Sequence, residues 1–111
     1  LFMDPDASQM ELARAVGADR VELYTEPFAS AYERGDPAAV EKYVAAAARA
    51  TELGLALNAG HDLNLHNLPF FLARVPNILE VSIGHALIGD ALEFGLAETV
   101  RKYRAACEGR A

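Results

Sequence analysis

Nothing in these 111 residues approaches the run of roughly 18 apolar residues that a membrane span needs, and no basic leader ends in small residues. Neither a membrane partner nor an address is expected. Cysteine is scarce too: Cys107, the single thiol, has no internal partner and lies among helix-like residues. That usage suits an intracellular, reducing compartment, so a cytoplasmic location is expected and Cys107 reads as a bystander. Positive charge is in deficit. Ten basic residues against sixteen acidic ones give a formal charge of −6, which opposes counterion-release binding to nucleic acid. Phosphorylated small molecules stay open as partners, because helix N-termini bind anions without net positive charge. No linker, low-complexity stretch or domain boundary interrupts the chain.

What the chain does contain is alternation, with strand-like and helix-like segments following each other four times. Leu1 to Met3 reads as a strand end, and Asp6 caps a helix with Gln9 three residues on, in the spacing of a capping box. Leu12, Ala13 and Val16 are expected on the apolar face of that helix, and Gly17 stops it. Arg20 to Tyr24 is the second strand, followed by a longer polar loop up to Asp36-Pro37, an N-cap with proline at the first helical position. Val40, Tyr43, Val44, Ala47 and Ala48 then recur at helical spacing up to Gly54. The third strand is expected to end at Asn58 and the fourth at Ile83, with a short helix around Phe70 to Arg74 between them. His85 to Phe94 and Leu96 to Glu108 read as two further helices.

Strands separated by helices imply right-handed crossovers and a parallel sheet. Side chains alternate between faces. Met3, Val21, Leu23, Leu55, Leu57, Leu79, Val81 and Ile83 are therefore assigned to the helix-covered face, and Asp4, Glu22, Tyr24, Asn58, Glu80 and Ser82, with Phe2 and Ala56, to the other. A doubly wound sheet is apolar on both faces, whereas polar groups converging near strand ends suit the lumen and mouth of a barrel. The expected fold class is thus α/β, half of a (β/α)8 TIM barrel with four βα units and parallel strands, because a full barrel takes about 250 residues. The chain starts within an apolar strand and without an initiator methionine. Residues 1–111 are accordingly expected to be the C-terminal half of a longer barrel domain.

Two apolar runs end in the same dipeptide: Leu55 to Ala59 leads into Gly60-His61, and Ile78 to Ile83 leads into Gly84-His85. A strand that stops at glycine lets backbone N–H groups approach a ligand, and an imidazole beside it carries protons near neutral pH. Together with Val21-Glu22-Leu23-Tyr24-Thr25 and with His66-Asn67 at the opening of the following helix, these residues give the chain a resemblance to the pyridoxine 5′-phosphate synthase family over essentially all its length.

That resemblance implies a transferase of vitamin B6 biosynthesis. The family joins 1-deoxy-D-xylulose 5-phosphate to 3-amino-2-oxopropyl phosphate, giving pyridoxine 5′-phosphate, phosphate and water, with no metal and no organic cofactor. Such a ring closure is a series of proton transfers, so acid–base groups carry it. By resemblance His61 is the proton donor and Glu22 stabilises charge in the transition state, while Asp62, Gly84 and His85 bind substrate. Homo-octamers built from dimers are also implied. Two positions depart from the family: Asp62 and Glu26 stand where glycine is familiar. The family's remaining acid–base groups and substrate arginines come from N-terminal strands that these residues do not include.

Other readings of the same residues stay beside this one. Glu22, His61, Glu80 and His85 are chemically suited to ligate a divalent ion, as in a metal-dependent sugar isomerase or epimerase. A non-catalytic, flavodoxin-like phosphate-binding module is the third class. Glu80 reads as structural in the lumen, His66 as a residue that caps or orients its helix, and Glu26, Glu33 and Asp36 as solvated loop acids.

Overall fold

The computed structural model describes residues 1–109, so the last two positions of the expected 1–111 unit lie outside the described residues. The chain runs β1 (Phe2–Met3), α1 (Met10–Ala15), β2 (Arg20–Tyr24), α2 (Glu26–Glu33) and α3 (Glu41–Glu52). It continues through β3 (Ala56–Gly60), α4 (Leu68–Arg74), β4 (Ile78–Ser82), α5 (His85–Phe94) and α6 (Leu96–Cys107). Short 3-10 turns at Ala7–Gln9 and Pro37–Val40 lead into α1 and α3. Every strand pair is parallel, in the order β1-β2-β3-β4. Consecutive order is that of a barrel wall, not the 2-1-3-4-5 order of a flavodoxin-like sheet. The fold is half of a (β/α)8 barrel.

The sheet's two faces differ as the alternation requires. Val21, Leu23, Leu57 and Ala59 are buried in one cluster with Met10 and Ala13 of α1, Tyr43, Ala46 and Ala47 of α3, Phe71 of α4 and Tyr103 of α6. On the opposite face Phe2, Glu22, Asn58 and Glu80 form one row across all four strands, and Tyr24, Gly60 and Ser82 form the next. Arg20 reaches along this face to Asn58 Oδ1 at 3.2 Å and to Glu80 Oε1 at 2.9 Å, so Glu80 is held in an ion pair low on the wall.

Four expectations need correction. Leu79 does not face the helices. The pairing of β3 with β4 jumps from Leu57↔Ile78 to Asn58↔Glu80, which leaves Leu79 as the extra residue of a bulge and 63% exposed, while Ile78 packs on the core in its place. The buried side of α1 is Met10 and Ala13, whereas Leu12 and Val16 are exposed. The expected polar loop after β2 contains α2, which buries Phe28, Ala29 and Ala31 and takes proline in its first turn. Finally, β3 continues two residues past Asn58, to Gly60.

The helix ends are capped unevenly. Asp6 caps the first turn by accepting from Ser8 N–H at 3.0 Å and Ser8 Oγ–H at 2.7 Å, bonds that lower the carboxyl pKa. Asp36 occupies its N-cap position without a side-chain cap bond. Cys107 is exposed, with a thiol pKa raised by desolvation and by Glu108, so little reactive thiolate forms near neutral pH. Among the described residues no helix is long and apolar enough to cross a membrane.

Candidate active site

All five residues singled out for catalysis or substrate binding meet at one end of the wall. A cavity of about 520 Å³ is lined by Glu22, His61, Asp62, Ser82, Gly84 and His85, among others. The parallel register explains the convergence: Glu22 lies one row below the β2, β3 and β4 termini, and the Gly-His turns leave from the ends of adjacent strands. In (β/α)8 enzymes this C-terminal rim is where catalytic groups gather.

Glu22 points over β3. An added Cβ on Gly60 would lie 2.8 Å from Glu22 Oε2 and 3.3 Å from Ser82 Cβ, so the absence of a side chain at 60 makes room for this carboxylate. Ser82 Oγ donates to Glu22 Oε1 at 3.4 Å. Glu80 is neutralised by Arg20, whereas among the described residues no cation forms a salt bridge with Glu22. An unpaired, half-buried carboxylate beside a cavity is suited to facing positive charge that appears on a ligand.

His61 leaves the strand with φ +92°, followed by Asp62 at φ +62°. Two consecutive non-glycine residues in this region are uncommon, and aspartate tolerates it better than most. The left-handed backbone at 62 also explains why glycine suits that position. The imidazole stands against two rings, with centroids 5.2 Å from Phe2 and 5.2 Å from Tyr24, themselves 5.4 Å apart. Asp62 is exposed and borders the cavity.

Gly84 is the N-cap of α5, and His85 is its first residue. No side chain caps this helix, so its first-turn N–H groups lack a side-chain partner, and His85 and Ala86 both border the cavity. A ten-residue helix aimed in this way favours an anion by its unpaired donors and its dipole.

Sequence reasoning missed the supports of this rim. Thr25 is buried at the end of β2, and Asn64 and Asn67 organise the β3–α4 turn: Asn64 Oδ1 accepts from the N–H groups of His66 and Asn67 at 2.9 Å each. The orienting role expected of His66 thus belongs to the two asparagines, and the His66 ring packs 5.2 Å from Tyr32 instead. The four-residue metal set is not assembled. Among the described residues no three His, Cys, Asp or Glu side chains come together to hold a metal ion, and Glu80 is taken up by Arg20.

Comparison with known proteins bears on what such a rim serves. The family described as "Pyridoxal phosphate biosynthesis protein PdxJ" matches residues 1–109. The chain belongs to the PdxJ family. Its relatives include the pyridoxine 5′-phosphate synthase of Porphyromonas gingivalis, 57% identical over 104 residues, which make up 94% of this chain and 44% of that protein. The synthase of the same name from Chelativorans sp. is 57% identical over 112 aligned residues, covering 97% and 45% of the two chains. That of Rhizobium meliloti is 50% identical over 113, covering 96% and 44%. The chain therefore spans somewhat less than half the length of these PdxJ relatives.

Proposed function

We propose that this chain is the C-terminal half of a pyridoxine 5′-phosphate synthase, in which the complete barrel condenses 1-deoxy-D-xylulose 5-phosphate with 3-amino-2-oxopropyl phosphate. The observation that carries the reading is the meeting of an unpaired carboxylate, an imidazole and an uncapped helix N-terminus around one cavity. Each suits a different demand of the reaction. The α5 terminus and the Gly84 and His85 backbone hold a substrate phosphate, which the overall charge of −6 does not prevent because the donors are local. His61 gives a proton to an oxygen that leaves as water during ring formation. Glu22 faces the iminium-like positive charge that forms when amine and carbonyl carbon join, and it is available to do so because it forms no salt bridge among the described residues. The other half of the barrel supplies the remaining acid–base groups. No step calls on a metal or an organic cofactor, and the complete enzyme is taken to work in the cytoplasm as a homo-octamer built from dimers, a size that light scattering reads directly.

The deciding experiment uses the full-length protein that carries this segment. It should form pyridoxine 5′-phosphate and release phosphate from the two substrates, and the rate should collapse with His61→Asn while circular dichroism stays unchanged. Wild-type turnover by His61→Asn would remove His61 from its role. A full-length protein that makes no product from these substrates would overturn the reading as a whole.

A further inference from the structure

The turn that carries His61 is held from outside. Left-handed backbone at two successive non-glycine residues persists only where the surroundings over-determine it, and here two buried side chains from different elements do so. Thr25, fully buried, donates from Oγ1 to the His61 carbonyl oxygen at 2.6 Å, and its own N–H donates to the Gly60 carbonyl oxygen at 2.9 Å. Asn67, 2% exposed, donates from Nδ2 to the Asp62 carbonyl oxygen at 3.2 Å and accepts from Asn64 N–H at 2.8 Å. Both side chains bond the main chain rather than the imidazole, whose ring packs against Phe2 and Tyr24.

Thr25 also forgoes the bond that its position offers. It sits at the N-cap of α2, where a threonine hydroxyl ordinarily accepts from the helix's first N–H groups, yet it makes no cap bond there. Its hydroxyl serves His61 at the expense of its own helix. We propose that Thr25 is a positioning residue for His61, fixing the carbonyl of a strained turn so that the imidazole keeps one orientation between Phe2, Tyr24 and the cavity, with Asn67 fixing the next peptide in the same way. The inference rests on the synthase reading of this site only for its kinetic readout.

The test compares Thr25→Val, which keeps shape and deletes the hydroxyl, with Thr25→Ser, which restores it, in the full-length enzyme. Misplacement of a reacting group by about 1 Å costs on the order of 10²-fold. Thr25→Val should therefore lose about 10- to 100-fold in kcat with KM for both phosphate substrates unchanged. Thr25→Ser should recover most of the loss. Nuclear magnetic resonance of the His61 ring should show one sharp set of signals in the wild type and in Thr25→Ser, and shifted or multiple sets in Thr25→Val. An unchanged kcat, a loss that serine does not recover, or His61 signals that stay at their wild-type positions would each overturn the proposal. If Thr25→Val fails to fold, Asn67→Asp decides, since it removes the donor to Asp62 at constant size: a lower kcat at constant KM supports the inference, and wild-type kinetics refute it. Should the wild-type protein make no pyridoxine 5′-phosphate, the synthase reading fails, and the His61 signals still decide the positioning role.

Discussion

The two Gly-His turns share a dipeptide and little else. At the end of β3, Gly60 is buried under the Glu22 carboxylate, and His61 is twisted into a left-handed conformation and tied down by Thr25. At the end of β4, Gly84 is exposed with nothing within 4 Å of the place a Cβ would take, and His85 begins a helix with no cap. One turn has its main chain bonded from outside. The other presents backbone. A repeated motif thus tells where a rim lies and not which atoms work there: the neighbours decide, and of these two strands β3 is paired on both sides, whereas β4 is paired with β3 alone among the described residues.

The sharpest way to break this comparison is to exchange the roles. If the imidazole acts at 61, His61→Asn should cost about 10²–10⁴ in kcat, the usual loss for a positioned acid. Glu22→Gln should likewise lower kcat more than it raises KM, because it removes an interaction made chiefly in the transition state. Equal losses for His61→Asn and His85→Ala in steady-state kinetics would erase the distinction.

Gly60→Ala comes next, with a smaller effect on rate. The added methyl meets the mobile end of Glu22 at 2.8 Å, so the carboxylate swings away at little cost to folding. Activity should fall by about tenfold or more through this displacement, while the thermal midpoint moves little. A variant with full activity would show that Glu22 does not need its place above residue 60.

At the second turn the expected changes are in binding. Gly84→Val puts a branched side chain where a phosphate approaches the α5 terminus and should weaken substrate binding by up to about 2 kcal/mol, roughly thirtyfold. His85→Ala removes one donor and should cost about 1 kcal/mol, roughly fivefold. Isothermal titration with a phosphate substrate ranks them, and the reverse order would make the imidazole the principal donor.

How much of this the sequence discloses depends on the range of the interaction. The parallel wall, its two faces and the convergence of Glu22, His61, Gly84 and His85 follow from period-two alternation and strand-end glycines, both local signals. The bulge at Leu79 does not, because it arises from pairing between β3 and β4, and a one-residue shift reverses which side chain faces the core. The helix α2 was hidden by its ends, where Glu26-Pro27 and Glu33-Arg34-Gly35 read as loop, although Phe28, Ala29 and Ala31 between them are buried. On α1, both sides carry apolar residues over only six positions, so tertiary packing alone selects Met10 and Ala13 over Leu12 and Val16. Thr25 was visible only as part of a motif. Its partner is 36 positions away, and no spacing rule connects a hydroxyl at one strand end with a carbonyl at the next.

The smallest predicted effect lies between the two turns, at Asp62. Its backbone is left-handed, and its carboxylate borders the cavity that the α5 terminus faces. Asp62→Gly would relieve the conformational cost of φ +62° while giving the unfolded chain more freedom, so the two terms offset and stability should stay within about 1 kcal/mol of the wild type. The charge term has one sign only. Removing a solvent-exposed carboxylate near a bound dianion should tighten binding of a phosphate substrate by about two- to threefold at low salt, with the gain fading as ionic strength rises. A titration series at two salt concentrations checks both parts. If affinity falls instead, the Asp62 side chain contributes a contact to the substrate, and the second turn would then no longer be the sole place where the phosphate is held.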